Sequence, residues 1–543
     1  MKKITYIVIS LLLMVSYSYG QGEVEANQFS RTDLTGTARG LSMGGAFGAL
    51  GGDLTGVSIN PAGIAVYRSS EIATTAVFQN QKFKAGDISE TKNKFNFHNL
   101  GFVGYFPTRN ASIPVVNFGF SYNKVKSFDR EIGAFGADRG SSLMDYMAHV
   151  STVHNNGAGV NPVELQFDDN DEFYDPFRTD APWLSVLGYQ SFLINPDKDD
   201  IGHYYTPIHN ETVNNLVYMS ERGSIDVYDF TVGASINNVL NVGMALSISD
   251  IYYNLYSQNS EDFSTGANAG FDLHNWLISE GNGVGVKLGV IYRPIHQLRL
   301  GLSYHSPTWY NMTDRFEAQI DENVTEYVNK QTGEYADNYI KDYKPGTTFS
   351  GEKRHDYDFK TPDKWTASAA LVLGSNMIVS MDYELTNYGS MKFSEVSGAY
   401  VRPEESFDQN ANVYIKEDHT TSSTIRTGLE YRFTPQFSGR LGYAWMQNPY
   451  KSSFKNDRGN AMTAGATSAF RMEGDTNYFT GGIGYRFSRS FYADLAVMYK
   501  TQDDDLYAYP NVLNENGGKF IDAAPYKLTN NAFKAMVTVG YRF

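Results

Sequence analysis

The sequence predicts an all-β chain, a transmembrane antiparallel β-barrel, and three observations carry that expectation. The first is side-chain parity. Over residues 283–304, Val284, Val286, Leu288, Val290 and Tyr292, then Leu298, Leu300, Leu302 and Tyr304, fall on one face, while Gly285, Lys287, Gly289, Arg299, Gly301 and Ser303 fall on the other. A strand sends alternate side chains to opposite faces, so this is a hairpin with one apolar and one small or charged face. The second is an export signal without a helical span. Lys2 and Lys3 precede an apolar run around Ile7 to Val15 and a small-residue stretch up to Gly20, the layout of a signal peptide over residues 1–20. No other stretch approaches the eighteen apolar residues that a spanning helix needs. The third is the spacing of the links. Short ones at 293–297, 374–376, 434–437 and 488–490 alternate with long polar ones at 387–421, 447–477 and 503–529. Periplasmic turns and longer external loops give an outer-membrane barrel that asymmetry, which a soluble sandwich has no reason to adopt.

Composition agrees. Gly (50), Tyr (39) and Phe (34) are plentiful, as many strands and two interfacial girdles require. With no cysteine the chain is neither a disulfide scaffold nor a lipoprotein anchored through cysteine, and thiolate zinc sites are excluded. A formal net charge of -15 argues against nucleic acid, which requires concentrated Lys and Arg. No linker divides the 543 residues into domains.

In order, residues 21–70 lack alternation and are rich in glycine, which disfavours a long helix and predicts a close-packed segment. Leu41, Met43, Phe47 and Leu50 can line one side of it, facing a hydrophobic pocket or packing the segment in place. Strands are expected at 71–78, 96–106 and 114–122. A long interruption at 127–224 follows, with a short helix at 143–150. Strands resume at 225–236 and 241–252, followed by the hairpin, then at 309–318, 349–359, 365–373, 377–384, 424–433, 438–445, 479–487, 491–500 and 532–543. With about fifteen candidates, one must be wrong or fail to span if the total is even, as single-chain bacterial barrels require.

The charged residues of these strands share the face opposite the apolar set: Lys287, Arg299, Asp382, Glu384, Arg426, Glu430, Arg432, Arg440, Arg486, Asp494, Lys534 and Arg542. On lipid each Arg or Lys would cost about 2 to 4 kcal/mol at the midplane, whereas in a wide lumen they can pair or hold water. The expected location is therefore the bacterial outer membrane, with lipid and lipopolysaccharide around the barrel and the barrel-assembly machinery as a partner in biogenesis.

Ala38-Arg39-Gly40-Leu41-Ser42-Met43-Gly44-Gly45-Ala46-Phe47-Gly48, Gly52-Asp53 and Asn60-Pro61-Ala62-Gly63, followed far downstream by Tyr292-Arg293-Pro294 and by Leu300 through Thr308, resemble the FadL/TodX family of outer-membrane transport proteins for hydrophobic compounds, in particular its large Bacteroidota branch. The resemblance implies fourteen strands, with residues 21–70 as an N-terminal luminal plug, or hatch, and residues 71–543 as the barrel. It implies passive uptake of hydrophobic or amphiphilic small molecules, such as long-chain fatty acids, with lateral release into the membrane where a strand is kinked. Asn60, Pro61, Ala62 and Gly63 would gate, lying against that strand. Pro107 and Pro114, around the third strand, are the kink candidates, and Pro114 can instead mark a strand beginning.

The large interruption at 127–224 departs from the family pattern. It keeps open an accessory or scaffold subunit of an outer-membrane protein secretion or assembly complex, with an envelope protein bound through the long loops. No cofactor is expected. Asp168, Asp169, Asp171 and Glu172 are candidate calcium ligands, as are Asp503 to Asp505, although their spacing lacks the glycine and terminal glutamate of a helix-loop-helix site. No Gly-x-Ser-x-Gly elbow is present, so no enzyme is expected.

Overall fold

A computed structural model describes residues 22–167, 174–208, 211–264, 269–324, 347–397, 406–408, 411–454, 461, 463–514 and 518–543. The leader at 1–20 and Asp168, Asp169, Asp171 and Glu172 lie outside the described residues.

Three short helices open the chain, α1 (Glu23–Ser30), α2 (Ala38–Ser42) and α3 (Leu54–Ile59), with a 3-10 turn at Pro61–Val66. The wall then runs β1 (Glu71–Ala85), β2 (Ile88–Pro107), β3 (Val115–Ser127) and β4 (Arg130–Arg139). After helices α4 (Leu143–Gly157) and α5 (Trp183–Gln190) come β5 (Val213–Ile236), β6 (Leu240–Phe263) and β7 (Gly270–Tyr292). Next are β8 (Leu298–His305), β9 (Trp309–Glu322), β10 (Lys353–Lys360), β11 (Lys364–Leu373), β12 (Met377–Asn387), β13 (Lys392–Glu395) and helix α6 (Ala411–Asp418). The last five are β14 (Thr421–Arg432), β15 (Phe437–Met446), β16 (Thr476–Arg486), β17 (Phe491–Tyr507) and β18 (Tyr526–Arg542).

Neighbouring strands pair antiparallel throughout, and β1 pairs with β18 from Glu71 opposite Arg542 to Lys84 opposite Thr529, so the sheet closes on itself. Closure removes the open edge that hydrocarbon forbids. Fourteen strands form the wall once halves are joined. β3 continues into β4, both pairing with β5. β8 and β9 both pair with β7, β11 and β10 are likewise one wall strand, and β13 extends β12. The count is thus even. The separate strands expected at 298–304 and 309–318 are two halves of one, as are those at 349–359 and 365–373.

Parity holds around the ring. Val284, Val286, Leu288, Val290, Leu300, Leu302, Val379, Leu441, Ile483, Val497, Val537 and Tyr541 are exposed on the outer face, while Asp382, Glu430, Arg440, Asp494 and Lys534 are buried on the inner one. Asp226, Asp250, Asn282, Asn311 and Asp358 occupy one lateral row across β5, β6, β7, β9 and β10, and that row ends the apolar band. Below it, the nine residues from Val284 to Tyr292 match the 9–11 that a tilted strand needs to cross a bilayer. β5 and β6 have 24 residues each, so more than half of each stands outside the membrane on the long-loop side.

Those extensions and the insertion build an external head over the mouth. Its core includes Trp183, whose ring lies 4.7 Å from Phe316 and 5.0 Å from Phe177. The insertion is tied down at the start of α4, where Glu261 of β6 accepts from Leu143 N at 2.9 Å and from the Ser142 hydroxyl. An apolar belt, a polar lumen and a closed sheet make the chain a barrel of the bacterial outer membrane.

Candidate functional site

Residues 22–70 descend through the lumen from the head to the short-turn rim. The wall holds them by inward side chains spread around the ring. Ala38 N donates to Thr538 Oγ1 at 2.7 Å and Gly44 N to Thr480 Oγ1 at 3.0 Å. Asp382 Oδ2 accepts from Phe47 N and Gly48 N, both at 3.0 Å. Arg299 donates to Leu50 O at 2.6 Å, and Asn117 to Ile64 O at 2.8 Å. These bonds satisfy backbone groups that a short, glycine-rich segment cannot pair internally. Wall glycines let the plug approach. A Cβ at Gly289 would overlap the Asn60 side chain, one at Gly243 the Pro61 carbonyl, and one at Gly442 the Gly44 nitrogen.

Asn60 is the hinge between α3 and the 3-10 turn. Its Oδ1 accepts from Ala62 N at 3.1 Å, and its Nδ2 donates to Gly48 O at 2.8 Å and to Val290 O of β7 at 3.1 Å. Pro61 begins the turn, where its missing N–H costs nothing. His305 Nε2 lies 2.8 Å from Ile59 O. The Asn60–Gly63 segment therefore sits against β6, β7 and β8.

The kink candidates need correction. Pro107 is the last residue of β2, opposite Val115, and Pro114 immediately precedes β3; Thr108 N donates to Pro114 O at 3.1 Å across the turn. Both mark strand ends at the rim. The interruption lies at Pro307 and Pro362. His305 pairs with Lys287 and Trp309 with Val284, so three residues face two in a bulge. On the next strand, residues 361–363 face five, 387–391, between the pairs Lys364–Thr386 and Lys360–Lys392. Hydroxyl groups replace part of the ladder: Val286 N donates to Ser306 Oγ and Thr308 N to Thr361 Oγ1, each at 2.9 Å.

Beside this break is a cavity of about 190 Å³ between plug and wall. Val286, 36% exposed on the outer face, borders it together with Lys287 on the inner face. Phe29, Leu34, Val125, Ile225 and Val227 give it an apolar side. The other side is ionic: Lys287 pairs with Asp229 at 2.8 Å and Arg426 with Glu384 at 2.8 Å, while Lys364 Nζ lies 3.2 Å from Thr32 Oγ1. The arrangement can accommodate an apolar chain with a polar end.

Other charged luminal residues bind the assembly together. Above the cavity, Arg31 and Arg471 converge on Glu473 at 3.4 and 2.5 Å. Burial alone would raise that carboxyl, but Arg471, Lys126, Arg31 and Arg130 hold it well below the carboxylate range. Below it, Arg39 and Arg440 share Glu430, and Arg440 also reaches Asp494 at 2.5 Å. Lys534 lines a narrow polar cleft with Lys126 and Lys500. Arg432, Arg486 and Arg542 face the lumen at the short-turn rim. Leu41 packs among Ala444, Tyr478 and Met536, while Met43, Phe47 and Leu50 pack with Ala370. None of these four lines the cavity. They are plug packing, and Phe29 and Leu34 supply the apolar lining instead.

Asp504 is engaged by Arg471 at 2.6 Å and Asp505 by Lys527 at 2.7 Å. Among the described residues no group of three His, Asp or Glu side chains is placed to hold a metal. Sequence reasoning missed Pro307 and Pro362. The available signal was a proline within an otherwise alternating run.

No protein-family model and no curated protein matches the sequence. Among solved structures, the chain is similar to a FadL homologue of Pseudomonas aeruginosa, with 11% identity, 95% of this chain and 100% of that chain covered, and a TM-score of 0.49. It is similar to the toluene transporter TodX of Pseudomonas putida, with 11% identity, 94% and 99% covered, and a TM-score of 0.48. A third is the Ralstonia pickettii toluene transporter TbuX, with 14% identity, 94% and 98% covered, and a TM-score of 0.46. Likeness at this level carries nothing about cargo. The fourteen strands around an N-terminal plug that the FadL/TodX resemblance implied are nevertheless the architecture observed.

Proposed function

We propose that this barrel takes up hydrophobic or amphiphilic small molecules, long-chain fatty acids among them, by passive binding and release. Release would be lateral, into the outer leaflet, through the break between β7 and the β8/β9 junction. The observation that supports this reading most is the cavity whose lining joins Phe29 and Leu34 of the plug to Val286 on the outer face. A methylene removed from water gains roughly 0.8 kcal/mol, so an apolar recess draws in an acyl chain, and the adjoining bilayer accepts it at little cost. No covalent step is needed. The hatch has to exchange two arrangements of similar free energy, and substrate biases the exchange only by binding one better.

The test is a reversible bolt. The chain has no cysteine, and a Cβ at Gly285 would lie 3.2 Å from Thr308 Oγ1. A Gly285→Cys/Thr308→Cys disulfide across the break is expected to abolish uptake of a labelled long-chain fatty acid into cells, with recovery on reduction. Undiminished uptake by the oxidised double variant would reject release at this position.

A further inference from the structure

A second cavity, about 330 Å³, lies at the short-turn end of the lumen, below the plug and apart from the first. Six arginines line it: Arg39 and Arg68 from the plug, and Arg432, Arg440, Arg486 and Arg542 from the wall. Only three carboxylates, Asp53, Glu430 and Asp494, line it with them.

Four of the six are occupied. Arg39 makes two bonds to Glu430, at 3.0 and 3.2 Å. Arg440 joins Glu430 at 2.7 Å to Asp494 at 2.5 Å. Arg542 is held at 2.5 Å by Glu71 and lies over the Tyr492 ring. Arg68 donates to the carbonyls of Ala65 and Tyr67 at 2.8 and 3.1 Å. The guanidinium groups of Arg432 and Arg486 have no ion-pair or hydrogen-bond partner among the described residues, although both line the same recess.

We propose that this recess binds a phosphate group, with Arg432 and Arg486 as its primary ligands. Two uncompensated guanidinium groups match a dianion, and each fork is shaped to engage two oxygens. A monocarboxylate offers two oxygens and one charge, which leaves one arginine unserved. Phosphate offers enough oxygens for the wall pair and also for Arg39 or Arg68 of the plug. A bound phosphate therefore bridges plug to wall from the periplasmic side, independently of where cargo leaves. Free phosphate and the phosphomonoester of an inner-leaflet phosphatidic acid present the same chemistry.

Two measurements on the full-length protein separate the sources: calorimetric titration with inorganic phosphate at fixed ionic strength, and native mass spectrometry from nanodiscs of phosphatidylcholine with or without phosphatidic acid. In the first, the dissociation constant is expected to rise about tenfold or more in Arg432→Gln/Arg486→Gln and to stay unchanged in Arg489→Gln, an exposed rim arginine outside the recess. Retention of phosphatidic acid with the same dependence, without phosphate binding, would assign the site to the lipid. Binding of neither, or binding that the double variant or its single Arg→Lys counterparts retain in full, overturns the proposal. Heat-dependent gel mobility checks that each variant is folded.

Discussion

Glu25 shows how one side chain couples the plug to pH. It stands in the first turn of α1, where its Oε2 accepts from Gly22 N at 2.9 Å and its Oε1 from Ala464 N at 3.3 Å. Burial pushes its carboxyl up to about 7 against those bonds, and the nearby Asp314 adds to the rise. Tyr357, whose hydroxyl donates to Asp314 at 3.2 Å, brings no positive charge to the group. A raised folded-state value means the protonated form is favoured by folding. The stability linked to it is fully present below about pH 4.5 and is lost as pH rises through about 7. The linkage is on the order of 3 kcal/mol. Glu25→Gln fixes the neutral form, so the variant should be more stable than the parent at pH 8, with the gap closing toward pH 4.5. Thermal loss of the folded gel band at the two pH values measures it. An equal gap at both would show that Glu25 does not titrate in this window.

At the scale of elements, the wall was legible because alternation is a local property. Residues 284–292 and 425–433 display it without reference to any neighbour. Joining β8 to β9 was not legible. A bulge inserts one residue and resets parity, so a single strand through Ser306-Pro307-Thr308 reads as two. Register with the neighbouring strand reveals the continuity, and register is a relation between distant segments. For the same reason Pro107 and Pro114 looked like kinks when they terminate strands. Parity puts the charged side chains on one face, but the pairing that makes Glu430 a hub for Arg39 and Arg440 joins residues 391 and 10 positions away from it. The wall glycines were visible as small residues opposite the apolar set. Their use as a bed for the plug needed the plug in place. Gly243→Val tests that use. Valine suits a strand, so the barrel itself is not penalised, but its Cβ would overlap Pro61. Overpacking of about 1 to 3 kcal/mol raises the loosened-plug population by a factor of roughly 5 to 160. Faster amide exchange over residues 60–66 and higher conductance in planar bilayers are expected. A variant with parental exchange and conductance would show that Gly243 does not set the fit.

The whole molecule has the polarity of a soluble protein turned inside out over the span of the band, and of an ordinary soluble protein above it. Below the row from Asp226 to Asp358, apolar side chains face outward and ion pairs fill the lumen. Above it, the same strands enclose the head's aromatic core around Trp183 and Phe316. One continuous set of strands thus serves two solvents, and the change occurs just outside the Pro307 break. A bilayer centred on the band makes a quantitative demand. Val537 of β18 is 42% exposed, stands opposite Leu495 and Ala76, and lies toward the middle of the outward row running from Phe533 to Tyr541. Arginine there has hydrocarbon on every side, so Val537→Arg should cost about 2 to 4 kcal/mol in refolding into lipid vesicles. Tyr541 is at the rim, where the long side chain can reach headgroups, and Tyr541→Arg should cost less than about 1 kcal/mol. Denaturant titration of refolding for both variants measures the difference. Equal costs at the two positions would mean that the band is not centred in the bilayer, and the break would then open at a different depth from the outer leaflet.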